Sequence, residues 1–455
     1  MHKWVSLGLV GLALLGFAAE RRLNVYTPRQ GGVTKVRLLV SSWQFSEFQD
    51  PDHDLERVVS DFERRHPDID IDLRIMPESN EITLMLPWRV GMTPFDLLLT
   101  THNMSITQYV EGGFLTPLEQ ELAPELADGL LDEFLPGYLQ YCQLTDPRTG
   151  ERHLYGLPYL GEIQALNYRK DILAQRGIAE RELPETWQDF ERLSARLRDP
   201  AQKQYGMTFD LSTSFFAQNV YVPILRSFAG DVEDEQGRLD VSSPQAAQTF
   251  RLVKRWYKEG LMPAGALTPY QAADDFRAGI AVLFPNWQSR GFWAIKGMQD
   301  GAQRIGIGPC PGSREVGSLV AHYIGVIPKA SPVPREAARV LLEAICFDLQ
   351  PGIAKAGKMS TIKWIYDRQD PHRASRPAAA RIQALRDLVD PRYRVPEWMM
   401  TLRPTVDLGY CVPDPIRWTR VSDILGIEFQ KYLSENISAE EALARAKRQI
   451  DKLYQ

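Results

Sequence analysis

Two short stretches in the N-terminal quarter carry side chains suited to holding a hydroxyl-rich molecule: Ser41-Ser42-Trp43-Gln44-Phe45 and Thr100-Thr101-His102-Asn103. An indole covers the apolar C–H face of a sugar ring. Neutral amides, hydroxyls and imidazoles pair with the rim hydroxyls, which must keep hydrogen bonds once buried. Ordinary core packing also uses such residues, since Trp is usually mostly buried, and both readings of Trp43 stand at this level. There is no GxSxG, HExxH, P-loop or GxGxxG, and nothing pairs a nucleophile with a base at motif spacing. The pattern therefore points to binding without catalysis, with no cofactor and no metal site. With 58 Asp and Glu in the chain, two carboxylates at glycosidase separation are available on any fold, so a glycoside hydrolase is the remote alternative.

Both stretches follow strands. Val36-Arg37-Leu38-Leu39-Val40 is a nearly continuous apolar run. After Asp50-Pro51-Asp52, Leu55, Val58, Val59 and Phe62 recur at helical spacing, and Pro67 closes that helix. Ile69, Ile71, Leu73 and Ile75 then alternate with polar residues as a half-buried strand, a helical stretch covers Ile82 to Val90, and Phe95 to Leu99 is a buried strand. This alternation predicts an α/β fold with a parallel sheet flanked by helices, whose ligands sit at the carboxyl ends of the strands. The loops after Val40 and Leu99 are then the first places to look.

The 455 residues, 44% hydrophobic and 24% charged, are enough for two or three domains. A net charge of -5 without a dense Lys/Arg run gives no field for nucleic acid. Trp4 to Ala19 is apolar but for Ser6 and ends in Gly16-Phe17-Ala18-Ala19, a signal-peptide pattern. As a helix it reaches only roughly 24 Å, so it is either a cleaved signal or an N-terminal anchor, and the body is expected to be exported, periplasmic or extracellular. Cys142, Cys310, Cys346 and Cys411 form no CxxC, and sequence does not choose among disulfide pairings or free thiols.

From Val36 onward the chain resembles the extracellular solute-binding proteins of the maltose-binding, sugar-type group. Phe62-Glu63-Arg64-Arg65-His66-Pro67-Asp68-Ile69 is similar to their "FE(K/R)xxPxI" helix end, Gly91 to Leu97 to "aGxxPDv", and Tyr109 to Leu118 to "laexGxLxpL". Tyr155-Gly156-Leu157-Pro158-Tyr159, with Glu162, Asn167-Tyr168-Arg169-Lys170-Asp171 and Pro184-Glu185-Thr186-Trp187, resembles "YGlPy...lyYNkdlf...pPkTWdel", where the chain first crosses between lobes. Here Asn167-Tyr168 inverts the usual order. Phe276 to Val282 looks like "FxxGkaAM", Ile305 to Gly312 like "vgvaplPg", and Ile327-Pro328-Lys329 like "aIpk". The capped C-terminal helix beginning at Ser438, with its stripe Leu443, Ala446, Ile450 and Leu453, looks like "sxeeALxxa".

The resemblance implies a two-lobed periplasmic-binding-protein fold of the class II type, with each lobe a sheet flanked by helices and joined by crossing strands. Lobe one is expected from residues 34–158 and 311–390, and lobe two from 159–310 and 391–455. It further implies a monomer that captures a mono- or oligosaccharide by hinge closure and delivers it to ABC permease subunits in the membrane. Ligand contacts carried over are Trp43, Gln44, His102, Asn103, Glu162, Thr213, Phe215, Trp287, His322 and Trp398, with Tyr159 and Arg290 as further candidates. Each has a plainer reading. Glu162 serves equally as an ion-pair partner at the hinge, Trp398 as core filler and His322 as a buried structural histidine. Trp287, at the end of a strand-like run, suits an aromatic platform, while Trp187, Trp256 and Trp364 are assigned to packing. A non-sugar solute on the same fold, such as a glycerol-phosphate diester, polyamine or metal chelate, is the nearer alternative, and Arg290 keeps a phosphate open.

Overall fold

The computed structural model describes residues 28–48, 54–76, 86–102, 105–268, 270–370, 377–412 and 417–455. The apolar stretch Trp4 to Ala19, Asn103 and the first part of the Ile82 to Val90 stretch lie outside the described residues. Among the described residues no helix is long and apolar enough to cross a membrane.

The elements that position the site are β1 (Val33–Ser41), β2 (Ile69–Met76) and β3 (Leu97–His102), then β4 (Gly156–Arg169), β5 (Tyr205–Met207), β6 (Ala281–Trp287), β7 (Ile305–Pro309) and β8 (Val320–Val326). β1 is parallel to β2 and β3, with Leu38 opposite Leu73 on one side and Leu97 on the other. From Val36 to Ser41 both faces of β1 are buried, which is why it reads as a near-continuous apolar run. The parallel sheet expected from the βα alternation stops there. β3 pairs with β8 and β8 with β4, both antiparallel, because these strands return from distant parts of the chain rather than by a short crossover.

β4 belongs to two sheets. Its Gly156–Ile163 half pairs with β8, whereas Gln164–Tyr168 pairs with β6, and Ala165–Arg169 pairs with β7 on its other side. β5 extends the second sheet beyond β6. Two hydrophobic cores follow this division. The first holds Val36, Leu38, Phe62, Leu97, Leu160, Ile163 and Ile324; the second holds Leu166, Trp187, Phe190, Phe209, Trp256 and Leu283. Core membership therefore changes between Ala165 and Leu166, so β4 is one strand crossing from lobe to lobe. A second crossing joins β7 to β8, and a third passes Leu319, which bridges Tyr410. Val395, Met399, Leu402, Val406 and Cys411 pack in the first core, while Tyr410, Val412 and Trp418 pack in the second. Of the stretch from 391, expected in lobe two, Val395 to Val406 thus pack in the first core, and residues 410–412 alternate between the two cores.

The helices that matter are α1 (Ser42–Glu47), α2 (Leu55–Arg65), α3 (Trp187–Leu197), α4 (Pro244–Lys258), α5 (Gln288–Lys296), α6 (Glu397–Asp407), α7 (Trp418–Ser434) and α8 (Ala439–Asp451). α3 starts at a reciprocal box in which Asp189 N donates to Thr186 Oγ1 and Thr186 N to Asp189 Oδ2, and it buries Trp187, Phe190, Leu193 and Leu197. Phe209 stacks on Trp256 at 5.7 Å with planes 8° apart, and Phe216 on Phe429 of α7 at 3.9 Å. At the C-terminus Ser438 Oγ accepts from Glu441 N, and Leu443, Ala446 and Ile450 dock as the apolar stripe requires. All four cysteines are buried and unbridged.

Candidate functional site

On lobe one the chain turns from β1 directly into α1, where a loop was expected. Ser41 and Gln44 form the reciprocal cap that starts this helix. Gln44 Nε2 also donates to Leu99 O (3.2 Å) and to Tyr159 Oη (2.5 Å), and Tyr159 Oη donates to Leu99 O (2.5 Å). Gln44 and Tyr159 are fully buried, so both support α1 from below instead of facing a solute. What they orient is the opposite face of α1, where Trp43 and Glu47 lie one turn apart. Trp43 meets Tyr323 edge-on at 5.1 Å, and Tyr323 meets His102 edge-on at 5.1 Å. His102 is the last residue of β3, directly opposite Tyr323 of β8. Burial lowers its pKa to about 4, so the ring is neutral at physiological pH. His322 is on the other face of β8, fully buried against Tyr138 (5.5 Å) and Tyr141 (5.8 Å). Burial first, and then the nearby His102, hold its pKa well below the usual imidazole value. This is a core position.

At the hinge, Glu162 of β4 accepts from Lys358 Nζ at 2.5 Å, and Glu47 Oε2 lies 3.5 Å from the same ammonium. The Lys358 side chain is 2% exposed. Burial pulls its pKa down, but Glu162 and Glu47 outweigh that and the net shift is upward, so it stays charged. Glu47 is raised, chiefly by burial, as expected where two carboxylates share one ammonium. Two residues along, Gln164 donates to Asn219 O and pairs across the sheet with Trp287. Gln288, opening α5, clamps the hinge: its Oε1 accepts from Ile163 N (2.6 Å) and its Nε2 donates to Gly357 O (3.4 Å).

Lobe two continues the row. The Trp293 ring centroid is 5.3 Å from Lys358 Nζ, and the Trp43 centroid is 5.6 Å from the same ammonium. One turn back on α5, the Arg290 guanidinium lies over Trp293 (4.8 Å) and over Tyr270 (5.4 Å). Tyr270 in turn meets Phe215 at 6.1 Å. Tyr270 has φ +66, unusual for a bulky residue, and its backbone N–H is held by the Asp210 carboxylate. Burial raises the Asp210 pKa, with bonds from Ser212 and the charge of Arg290 acting the other way. Thr213 is half-buried in the turn between Asp210 and Phe215, and a Cβ on Gly426 of α7 would come 2.2 Å from its carbonyl oxygen. Glycine there lets α7 press that turn into place.

The outcome is a continuous row across both lobes: His102, Tyr323, Trp43, Lys358 with Glu47 and Glu162, Trp293, Arg290, Tyr270, Phe215. Of the residues singled out from sequence, Trp43, His102, Glu162, Arg290 and Phe215 are in the row, with Thr213 beside it. Trp287 is half-buried at the end of β6 and packs on the second core. Trp398 is elsewhere: it packs on Phe292 (6.5 Å) and lines a separate cavity of about 710 Å³ with Tyr168, Glu180 and Ile305. Sequence reasoning did not select Tyr323, Trp293, Lys358, Glu47, Asp210 and Tyr270. Trp293 was legible as the residue one turn after Arg290. Lys358 and Glu162, almost two hundred residues apart, carried no local signal. Aromatic faces alternating with charged groups and a neutral imidazole fit a neutral polyhydroxyl molecule, and among the described residues no cluster of His, Cys, Asp and Glu is arranged for a metal.

Residues 46–345 match the family model described as bacterial extracellular solute-binding protein. The chain is 26% identical over 251 residues to the maltotriose-binding protein of Pyrococcus abyssi, covering 54% of this chain and 48% of that protein, so it spans about half of that relative's length. Among solved structures, maltose-bound MalE3 of T. maritima superimposes with a TM-score of 0.69 at 22% identity, covering 92% of this chain and 99% of that one. A solute-binding protein of an ABC transporter from Agrobacterium radiobacter K84, in complex with ribitol, superimposes with a TM-score of 0.66 at 19% identity, covering 94% and 100%. At these identities the structural likeness is one of fold: two α/β lobes joined by crossing strands.

Proposed function

Because the chain belongs to the bacterial extracellular solute-binding proteins, we propose that it is the capture component of an ABC importer, closing its lobes on a mono- or oligosaccharide or a sugar alcohol and releasing it unchanged to a membrane permease. The observation that supports this reading best is the row of rings and charges running from His102 and Trp43 on lobe one, past Lys358, to Trp293 and Phe215 on lobe two. A ligand bound to one lobe gains contacts from the other only when the lobes close, and that difference in affinity shifts the population toward the closed form. The charges in and beside the row nearly cancel: Lys358 and Arg290 against Glu47 and Glu162 in it and Asp210 beneath Tyr270. Arg290 is already stacked between two rings beside Asp210, which favours a neutral solute over a phosphate ester. Maltotriose, maltose and ribitol, named with the relatives above, are the first ligands to try.

We assign roles along the row residue by residue. Trp43, Trp293 and Tyr270 are the stacking faces, Glu162 and Asp210 accept hydroxyl protons, and His102 serves as a neutral hydrogen-bonding group. The core divisions support lobe one extending through 406, with the last crossing at 410–412 and lobe two resuming beyond it. The test is calorimetric titration of purified protein with maltose, maltotriose, ribitol, glycerol phosphates and 1,4-diaminobutane, followed by recovery of the ligand. Saturable binding of a saccharide or polyol, recovered intact, is expected. Conversion of the ligand, or binding confined to the phosphate or diamine, overturns the reading.

A further inference from the structure

Lys358 sits in an unusual box. Its ammonium lies near two indoles, Trp43 from lobe one at 5.6 Å and Trp293 from lobe two at 5.3 Å, with the Glu162 and Glu47 carboxylates at 2.5 and 3.5 Å. Indole faces and carboxylates together are the chemistry that recognises an organic cation. Glu162 Oε2 is buried without a hydrogen-bond partner, so the box holds more accepting capacity than one lysine uses. Two carboxylates gathered around one point repel each other without a counter-charge. Lys358 supplies it from a loop of lobe one, anchored where Met359 pairs with Gly161.

We propose that Lys358 is a built-in occupant of this cation site, which makes it a specificity-determining residue: its ammonium fills the box, so the cleft rejects cationic solutes and is left to neutral ones. The consequence for specificity rests on the reading of the cleft given above, whereas the box itself does not. Cutting Lys358 back to Ala removes the atoms of n-propylammonium, so this cation should return to the vacated space in the variant.

The experiment compares wild type and Lys358→Ala by calorimetry and thermal melting with n-propylammonium chloride, n-propanol and 1,4-diaminobutane. The variant is expected to bind propylammonium and diaminobutane saturably, at least about tenfold tighter than propanol, with a raised Tm. Wild type should bind neither cation. A folded variant without ammonium-specific binding, or a wild type that takes up the diamine, overturns the proposal. If the variant does not fold alone, the same comparison is read as recovered folding by circular dichroism. Recovery with propylammonium and not propanol supports the proposal, and no recovery or equal recovery overturns it. No saccharide enters these readouts, so failure here and failure of the saccharide reading are separately visible.

Discussion

Gly357→Ala is the most direct local perturbation of lobe closure. Gly357, on the lobe-one loop before Lys358, has φ +80, and a Cβ there would lie 2.0 Å from Phe292 Cδ1 and 2.2 Å from its Cγ. Phe292 is on α5, which packs through Ala294 on Phe284 and Ile305 of the second sheet, while the Phe292 ring packs against the first core, so the overlap lies between lobes. Two costs separate. The left-handed backbone costs about 1–2 kcal/mol in any folded form and lowers stability alone. The overlap costs about 1–3 kcal/mol, typical of a methyl forced into a packed contact, and is felt only where α5 touches the loop. If closure brings them together, ligand affinity falls by about 5- to 150-fold beyond any effect on stability. Titration calorimetry gives the affinity and urea unfolding the stability. Adding Phe292→Ala removes the overlapping ring and should return part of the affinity, a coupling that a double-mutant cycle measures. Unchanged affinity in Gly357→Ala, with only the backbone cost in stability, refutes the contact as part of closure.

Three further outcomes follow from buried groups. His102, with its pKa lowered to about 4, and His322, also lowered by burial, bind protons less readily folded than unfolded. Their contribution to stability is complete above roughly pH 6.5 and is lost as pH falls toward 4. Glu47 and Asp210, raised by burial, act in the opposite sense. The histidine term is therefore read by difference: Tm should fall less between pH 7 and 5 in His322→Gln than in wild type, and an equal or larger fall contradicts it. Arg386 makes a bidentate pair with Glu133 at 2.6 and 2.9 Å, both side chains under a tenth exposed. Arg386→Ala strands the Glu133 charge and should cost about 3–5 kcal/mol in urea unfolding, whereas a loss below about 1 kcal/mol contradicts its burial. The four thiols should be unreactive toward a disulfide reagent in the native protein and all reactive after unfolding; fewer than four then would reveal a disulfide.

Much of the fold was legible because the responsible patterns are local. The apolar run of β1, the alternation of β2, the helical spacing of α2 and the Ser438 cap each appear within a dozen residues. Lobe division was legible only through resemblance, since β4 looks like one strand and its change of core at Ala165 and Leu166 is a tertiary fact. α1 shows how a short signal is overlooked: Ser41 and Gln44 stand at capping-box spacing, yet six residues after a strand read as a loop. That misplacement set Gln44 beside Trp43 as a ligand contact, whereas the helix turns Trp43 and Glu47 outward and Gln44 into the core. His322 and Tyr323 repeat the lesson on a strand, where alternate residues face opposite sides and Tyr323 takes the place sought for its neighbour. Lys358 was out of reach, since its partners come from α1, β4 and α5 and no spacing in sequence records that meeting.

The central claim is that two lobes close on a neutral polyhydroxyl solute and return it unaltered. Small-angle X-ray scattering of the protein with and without the saccharide or polyol found by calorimetry, on samples whose ligand is then recovered and analysed, tests it most directly. The account predicts a smaller radius of gyration at saturation and an unmodified ligand. An unchanged radius at saturation, or a ligand cleaved or otherwise converted, would contradict it.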